Sequence, residues 1–511
     1  MNIASILRDR ATAHGRQPAI VERKRTISFA ELDRAAADAA EGLSRAGVGP
    51  EARVLVLSPM SIDLYVVVIA IFRLGATVVF VDPSAGLRHV GACIARVRPH
   101  AFIGVPRAHL LRLVSPALRS VPIKLTVASV VHSQSRGPDA VHPVIPCNPG
   151  TPAIVTFTSG ATGVPKAAVR THGFLLAQHR ALEETLTLEP GNVDLATLPI
   201  VLLANLASGV TSIIPDADLR APGGIRPEPV IDQIRLLRPG RVIATPALLE
   251  RLVTRLEDAG GTFKGVRQIF TGGAPVFPSL LDRVANVAPS ASILAVYGST
   301  EAEPIASLDR RDISVDDRRA MRDGAGLLAG LPARGIEIRI LPDRWGTPIR
   351  GQSGTNLQAV KVSEPGEIVV SGDHVLRGYL DGMGDDETKI RDGERVWHRT
   401  GDAGYFDADG RLWLLGRCAA RVNDSCGVLY PFAVECAASE VPGVQRSAFV
   451  SHRGRRVLVV ETMYDAAEVR GALLQRLAWA RLADVRTVRR VPVDHRHNAK
   501  VDYPALARML G

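Results

Sequence analysis

Lysine is scarce in this chain: of 62 basic residues only seven are lysines, Lys24, Lys124, Lys166, Lys264, Lys361, Lys389 and Lys500, and arginine supplies the rest. The net charge of +10 is spread along the sequence without a block of basic and aromatic residues, so a nucleic-acid-binding face is not expected. It reads instead as a solvated surface that attracts anionic substrates. Cysteine is also sparse. Cys93, Cys147, Cys418, Cys426 and Cys436 are odd in number and form no C-x-x-C pair, which argues against a disulfide framework and against a structural zinc site. Long apolar runs are missing too, since the longest, Leu64 to Val81, is broken by Arg73 and Gly75 and suits a helix followed by a strand rather than a membrane span. Arg8 and Arg10 interrupt the first residues, so no signal peptide is expected there. These absences point to a cytoplasmic protein with no integral membrane segment. No internal repeat is evident.

At 511 residues, with 46% hydrophobic content, the chain has material for at least two folding units. Ser28-Phe29-Ala30-Glu31-Leu32 opens an alanine-rich helix to about Ala46, and Arg53 to Leu57 reads as a strand. A helix near Ile62 to Leu74, a strand from Ala76 to Val81 and a helix near Arg88 to Val97 follow, so the fold class is α/β. From Ser129 to Gly150, serine, proline and histidine accumulate as a loop. Farther on, Gln268 to Phe270 and Ile293 to Val296 are short strands that end in small residues, at sheet ends where α/β proteins bind ligands. Between Gly335 and Leu415 short strands and glycine turns predict a β-rich subdomain. The strand pattern is expected to stop near Gly416-Arg417, and the last 95 or so residues read as a compact α+β unit.

The densest chemical signal follows the apolar strand Ala153 to Phe157. In Thr158-Ser159-Gly160-Ala161-Thr162-Gly163-Val164-Pro165-Lys166, two glycines let a backbone approach an anion, hydroxyls can donate to phosphoryl oxygens and a lysine adds positive charge. This predicts polyphosphate binding. Gly163 stands three residues before Lys166 and Pro165 precedes it, so the stretch is not a Walker A loop. Tyr297-Gly298-Ser299-Thr300-Glu301 adds an aromatic face, hydroxyls and a carboxylate able to ligate a hard cation through oxygen. In His398-Arg399-Thr400-Gly401-Asp402 a turn aspartate can accept hydrogen bonds from two vicinal hydroxyls.

The segment from Thr156 to Gly173, closed by Thr171-His172-Gly173, resembles the phosphate-binding signature of adenylate-forming enzymes, the superfamily of acyl-CoA synthetases, peptide-synthetase adenylation domains and luciferases. The resemblance extends along essentially the whole chain. It implies a large N-terminal adenylating domain over residues 1–415, built of two α/β subdomains and a small β subdomain, and a small mobile α+β domain over 416–511 with a hinge near 417–420. It implies ATP and Mg2+ as cofactors and a small carboxylic acid as substrate, activated as an acyl-AMP with release of pyrophosphate. Thr158, Ser159, Gly160, Thr162, Gly163 and Lys166 would hold the β- and γ-phosphates, Gly273, Ala274 and Pro275 would line the adenine pocket, and Tyr297, Gly298 and Ser299 would complete it. Thr300 would meet the α-phosphate and, with Glu301, the magnesium. Asp402 and Arg417 would reach the ribose. Lys500, in Arg496-His497-Asn498-Ala499-Lys500, matches the mobile lysine that bridges the carboxylate and the α-phosphate.

Two departures bear on the second half-reaction. The acyl-pocket segment Leu198-Pro199-Ile200-Val201-Leu202-Leu203-Ala204-Asn205 lacks the aromatic-histidine pair of thiol-ligating members. Val201, Leu202, Asn205 and Glu303 are its candidate substrate contacts. In the hinge, Asn423 and Cys426 stand where a lysine and a glycine normally present a thiol. The same stretch is similar to the β-lactone synthetases of bacterial olefin biosynthesis, in the hinge from Gly416 to Val422, in Thr211-Ser212-Ile213-Ile214-Pro215-Asp216 and in the ending before Lys500. That resemblance implies lactonisation of a β-hydroxy acid. The alternatives are a ligase that transfers the acyl group to CoA or a carrier protein, and an enzyme that activates another oxyanion such as nitrite.

Overall fold

A computed structural model describes residues 2–133, 142–159, 165–220, 222–349, 357–494 and 500–511. The chain divides into two compact units, the first formed by Met1–Leu219, Leu236–Ile243 and Asp373–Asp385, the second by Arg220–Arg235, Ala244–Gly372 and Asp386–Gly511. The α/β class expected from the sequence is the class observed.

In the first unit a six-stranded sheet runs in the order Ile123–Thr126, Ala101–Gly104, Arg53–Leu57, Thr77–Phe80, Pro152–Ser159, Pro165–Thr171. Its pairings are parallel until the last two strands, which form an antiparallel hairpin. The central parallel strands Arg53–Leu57, Thr77–Phe80 and Ala101–Gly104 are mostly apolar and buried, as suits a sheet shielded by helices, while the edge strand Ile123–Thr126 is half-buried. The helix Phe29–Arg45 starts on a capping box in which Ser28 and Glu31 satisfy each other's backbone N–H groups, and it packs on the helix Ile62–Arg73. Ile62–Arg73 is buried along its length except at Asp63, and the buried set includes Arg73, whose guanidinium meets Asp33 at 2.5 Å and donates to the His142 carbonyl at 2.8 Å. A second group of strands in this unit, Arg241–Ala244, Val193–Ala196, Thr211–Ile214 and Pro18–Glu22, is also parallel. Ser129 lies in the short helix Val127–Val131 rather than in a loop, since Thr126 and Ser129 form a capping box that the serine-rich composition conceals.

The second unit begins with the parallel strands Gln268–Gly272 and Ser292–Ser299 and continues antiparallel through Ala302–Asp309, Leu327–Pro332, Leu412–Arg417, Arg395–Phe406, Gly366–Gly372 and Ile336–Leu341. Ser292–Ser299 runs three residues past the expected end at Val296, because Tyr297 and Ser299 pair with Ala306 and Ala302 of the next strand. The chain end packs three strands, Arg446–His452, Arg455–Glu461 and Asp484–Val488, with the helices Pro431–Ala438 and Ala466–Arg476. The strand Leu412–Arg417 is followed by a further short hairpin, Val422–Asp424 and Gly427–Leu429, so strands continue past Gly416, and that position lies inside the second unit. No helix among the described residues is long and apolar enough to cross a membrane.

Candidate active site

In the second unit, three strands place a polar cluster. Asp402 and Arg417 face each other in the register between Arg395–Phe406 and Leu412–Arg417. Arg417 Nε lies 3.4 Å from Asp402 Oδ1, while Tyr297, from Ser292–Ser299, donates its hydroxyl to Asp402 Oδ2 at 2.7 Å. The turn before Asp402 is built to hold it. Gly401 adopts φ +71°, and a Cβ there would stand 2.8 Å from the Trp345 ring, so both conformation and space call for glycine. Thr400 Oγ1 accepts from the Asp402 N–H and donates to the Ile368 carbonyl. Beneath it Arg399 is buried against Glu367 at 2.7 Å and donates to the carbonyls of Thr347, Glu387 and Arg344, while its guanidinium packs on Trp345. Breaking such a buried pair by removing one partner costs about 3–5 kcal/mol, so this turn is rigid.

The cluster alters its own electrostatics. Burial first and the Asp402 carboxylate second push the Tyr297 phenol well above its ordinary value, which keeps it a neutral donor. Asp402 raises Arg417. Lys500 is lowered by burial first and by Arg417 second, opposed by Asp402, Asp494 and Glu301. Its backbone is fixed by reciprocal bonds with Asp494, one from Lys500 N–H to Asp494 Oδ1 at 3.0 Å and one from Asp494 N–H to the Lys500 carbonyl at 2.8 Å. Thus Tyr297 and Glu301 of one motif share an electrostatic neighbourhood with Asp402, Arg417 and Lys500, which lie about a hundred residues or more farther along the chain. Thr300 and Glu301 form the turn after Ser299, whose Oγ accepts from the Glu301 N–H at 3.2 Å. Glu303 is half-buried in the following strand. Gly273 and Ala274 form the bend that leaves Gln268–Gly272, with Pro275 next, and Gly298 lies within the strand Ser292–Ser299.

In the first unit the antiparallel strands Pro152–Ser159 and Pro165–Thr171 flank the phosphate-loop segment. Thr158 pairs with Lys166 across it. Gly160, Thr162 and Gly163 lie outside the described residues, as does the Ser159 side chain. Lys166 is buried, its stem lies against Gly384, and its ammonium is 5.9 Å from the Tyr379 ring. Arg96 holds the same corner by donating to the carbonyls of Pro165 and Leu380.

Three of the candidate acid contacts, Val201, Leu202 and Asn205, sit on the helix Pro199–Ser208, which is almost wholly buried. Leu202 packs in the main core with Leu203 and Leu206. Val201 is 2% exposed. Asn205 donates to Ser212 Oγ at 3.0 Å, and its Oδ1 finds no hydrogen-bond partner among the described residues. Sequence reasoning missed the supporting residues Glu367, Trp345, Tyr379 and Arg96. Arg399 alone stood in a quoted motif, and its burial has no local signal because its partner is 32 residues away.

Among the described residues no group of three His, Cys, Asp or Glu could hold a metal by itself. A single carboxylate such as that of Glu301 is chemically compatible with Mg2+, which keeps several waters and is commonly bound through one or two carboxylates plus substrate oxygens.

A family model described as AMP-binding enzyme matches residues 7–380. Relatives named olefin beta-lactone synthetase, from Xanthomonas campestris pv. campestris and Stenotrophomonas maltophilia, are 32% and 33% identical over 94% of this chain and 90% and 91% of their own. A feruloyl-CoA synthase from an Amycolatopsis species is 26% identical over 83% of this chain and 80% of its own. Among solved structures, ATP-bound MatB from Rhodopseudomonas palustris is similar with a TM-score of 0.81 at 22% identity, covering 100% of this chain and 99% of that one, a likeness of fold. The chain therefore belongs to the AMP-binding enzyme family, as an ATP-using, AMP-forming adenylating ligase.

Proposed function

We propose that this enzyme activates a β-hydroxy carboxylic acid as its acyl-AMP and then closes a β-lactone. In the first step a carboxylate oxygen attacks the α-phosphorus, the α–β anhydride bond breaks and pyrophosphate leaves. In the second, the acid's own hydroxyl oxygen attacks the activated carbonyl carbon, its proton is lost and AMP departs with the electrons of the acyl–oxygen bond. The acid loses one water in total. Proximity replaces an external thiol, and well-oriented intramolecular attack reaches effective molarities of about 10⁵–10⁸ M.

The roles follow the cluster. Asp402 and Arg417 take the ribose, the Tyr297 face and Gly273, Ala274 and Pro275 take the adenine beside Gly298 and Ser299, and Thr300 takes the α-phosphate. The turn from Thr158 through Ser159, Gly160, Thr162 and Gly163 to Lys166 holds the β- and γ-phosphates. Glu301, with Thr300, would hold magnesium, which neutralises phosphate charge when bound. Lys500 supplies a cation where charge develops between carboxylate and phosphate. Val201, Leu202, Asn205 and Glu303 are assigned to the acid side. Residues 416–511 act as the lid, with the short turn Cys418–Ala420 as its hinge.

One observation carries the second step: identity to two olefin beta-lactone synthetases spans the hinge, in a chain with Asn423 and Cys426 at the thiol-presenting positions. Incubation with ATP, magnesium and a panel of β-hydroxy, aryl and fatty acids, with and without CoA, nitrite or amine, tests it by mass spectrometry. The expected result is thiol-independent AMP release and a product lighter than the acid by one water. Strict dependence on a thiol would make it an acid-thiol ligase, the reading that the feruloyl-CoA synthase likeness favours. A requirement for nitrite and an arylamine would assign it to the activation of a different oxyanion.

A further inference from the structure

We propose that the helix Pro106–Val114, with Arg119 just beyond it, is a docking face for an anionic lipid surface, on which Leu110, Leu113 and Val114 enter the headgroup layer and arginines meet the lipid phosphates. None of these residues is assigned to ATP or to the acid, so the role does not depend on the reaction proposed above.

Charge in this part of the chain is one-sided. The net charge of +10, expected to be spread along the sequence, is uneven: residues 83–133 hold six arginines and one lysine and no aspartate or glutamate, so +7 of the +10 lies in this stretch. The stretch folds as a neighbourhood of the first unit, with Ile94, Phe102, Leu118 and Val121 in one core cluster. Arg88, Arg98, Arg107 and Arg119 are exposed, and none of them has an acidic partner among the described residues.

The helix Pro106–Val114 is apolar on two sides. Inward, Ala108 is buried and Leu111 packs on the cluster of Phe102, Leu118 and Val121. Outward, Leu110, Leu113 and Val114 are 62%, 73% and 60% exposed. Spacings of three and four residues put these three on one helical face, with Arg107 one turn before Leu110. Arg119 closes the other end: its Nη1 donates to the Leu113 carbonyl at 3.2 Å, which carries a guanidinium to the edge of the apolar stripe. The helix is fastened from within, since His109 Nε2 lies 3.0 Å from the Leu125 carbonyl and the His109 ring packs on Phe102 with centroids 4.8 Å apart. A carbonyl only accepts, so that nitrogen is the donor and His109 Nδ1, 3.3 Å from Arg112 Nη1, accepts from the guanidinium. These contacts turn Leu110, Leu113 and Val114 to the solvent.

A second copy of the chain is a poor occupant, because two such faces would set arginine against arginine with no carboxylate between them. An anionic bilayer suits both parts of the surface at once. The leucine and valine tips leave water for the acyl boundary, while arginine stems lie along apolar surface and keep their guanidinium groups at the phosphates. Attraction by charge alone would need no leucines, and apolar contact alone would not need a stretch free of carboxylates.

Sedimentation of the full-length protein with vesicles tests this. Binding is expected to equimolar phosphatidylglycerol and phosphatidylcholine but not to phosphatidylcholine alone, and it should weaken at high salt as the charges are screened. Leu110→Ser combined with Leu113→Ser should lower the partition coefficient about tenfold or more, and Arg107→Gln about fivefold, with melting temperature and acid-dependent pyrophosphate exchange unchanged. A polarity-sensitive fluorophore on Leu113→Cys, in a Cys426→Ser background, should shift to the blue when the anionic vesicles are added. Failure to bind these vesicles at low salt would overturn the proposal, and retention on immobilised polyglutamate in that case would assign the face to an acidic polypeptide. Vesicle binding that the leucine substitutions leave undiminished would overturn it as well, since it would be plain attraction of a basic protein to an anionic surface. A dimer in solution that the same substitutions split would overturn it in favour of a second copy.

Discussion

The cluster around Asp402, proposed to take the nucleotide, and the helix Pro199–Ser208, proposed to face the acid, are built in opposite ways. Around Asp402, few atoms do much. One carboxylate takes the Tyr297 hydroxyl at 2.7 Å and lies beside Arg417, on a turn supported by the buried Arg399–Glu367 pair. On the helix, no single polar contact dominates, and Leu202, Leu203 and Leu206 belong to the same core that holds Ile62–Arg73. If the proposed roles hold, nucleotide recognition depends on directional groups whose loss removes an interaction, and acid recognition depends on shape that is shared with the core.

The largest effect expected on the polar side comes from Lys500→Ala. Removing a preorganised cation or donor costs roughly 3–4 kcal/mol in such sites, so acid-dependent pyrophosphate exchange should fall about 10²–10³-fold while calorimetry shows ATP still bound. Retained exchange would remove Lys500 from the chemistry. The apolar side should break differently. Leu202→Ala opens a cavity in the core and should cost about 2–5 kcal/mol of stability, read by urea unfolding, with KM for ATP unchanged. An altered acid preference at unchanged stability would instead mark Leu202 as pocket wall and erase the contrast drawn above.

Smaller effects sharpen the comparison. Asp402→Asn leaves Tyr297 and Arg417 without a charged acceptor, and hydrogen bonds to charged groups are worth about 1.5–3 kcal/mol, so KM for ATP should rise by roughly tenfold or more with KM for the acid little changed. Equal rises in both would mean that the cluster positions more than the nucleotide.

The smallest effects separate titration in the site from titration in the fold. Lys500 sits below the ordinary lysine range, so its charged form, and with it adenylation, should be lost on the alkaline side earlier than for an ordinary lysine. Arg417→Gln removes a repulsive neighbour and should move that limb to higher pH; a limb that stays put would break the coupling. Glu435, buried on the helix Pro431–Ala438 and accepting from the Phe449 N–H, is raised by burial to about 8 from 4.5. The folded protein keeps a proton that the unfolded chain releases, so this contribution is full below the ordinary carboxylate value and lost as pH rises through about 8. The melting temperature should decline across that window, and Glu435→Gln should flatten the decline without moving the activity limb. An unchanged slope would exonerate Glu435.

Much of the fold was legible because its signals are local. The Ser28–Glu31 capping box, the apolar strand Arg53–Leu57 and the alternation that follows are each written within a few residues. Misreadings occurred where local composition competes with pairing. Ser129 was expected in a loop because serine is common there, yet its hydroxyl completes a helix cap. The strand through Tyr297 was expected to stop early because glycine and serine discourage strands, but a neighbour continues the ladder. Of the site, the residues in compact motifs were readable, whereas Glu367, Trp345 and Tyr379 were not. Each acts only through a partner distant in sequence.

The sequence alone determined the family, the α/β class and the chemistry on offer, because glycine, hydroxyl, lysine and carboxylate in fixed short order state what a turn can bind. It determined equally that the hinge lacks the usual lysine and glycine. Only the tertiary structure decided that Asp402 serves Tyr297 and Arg417 together and that Leu202 packs within the core beside Leu203 and Leu206. Those outcomes depend on strand register and burial, which bring together groups up to about a hundred residues apart. No local pattern encodes them.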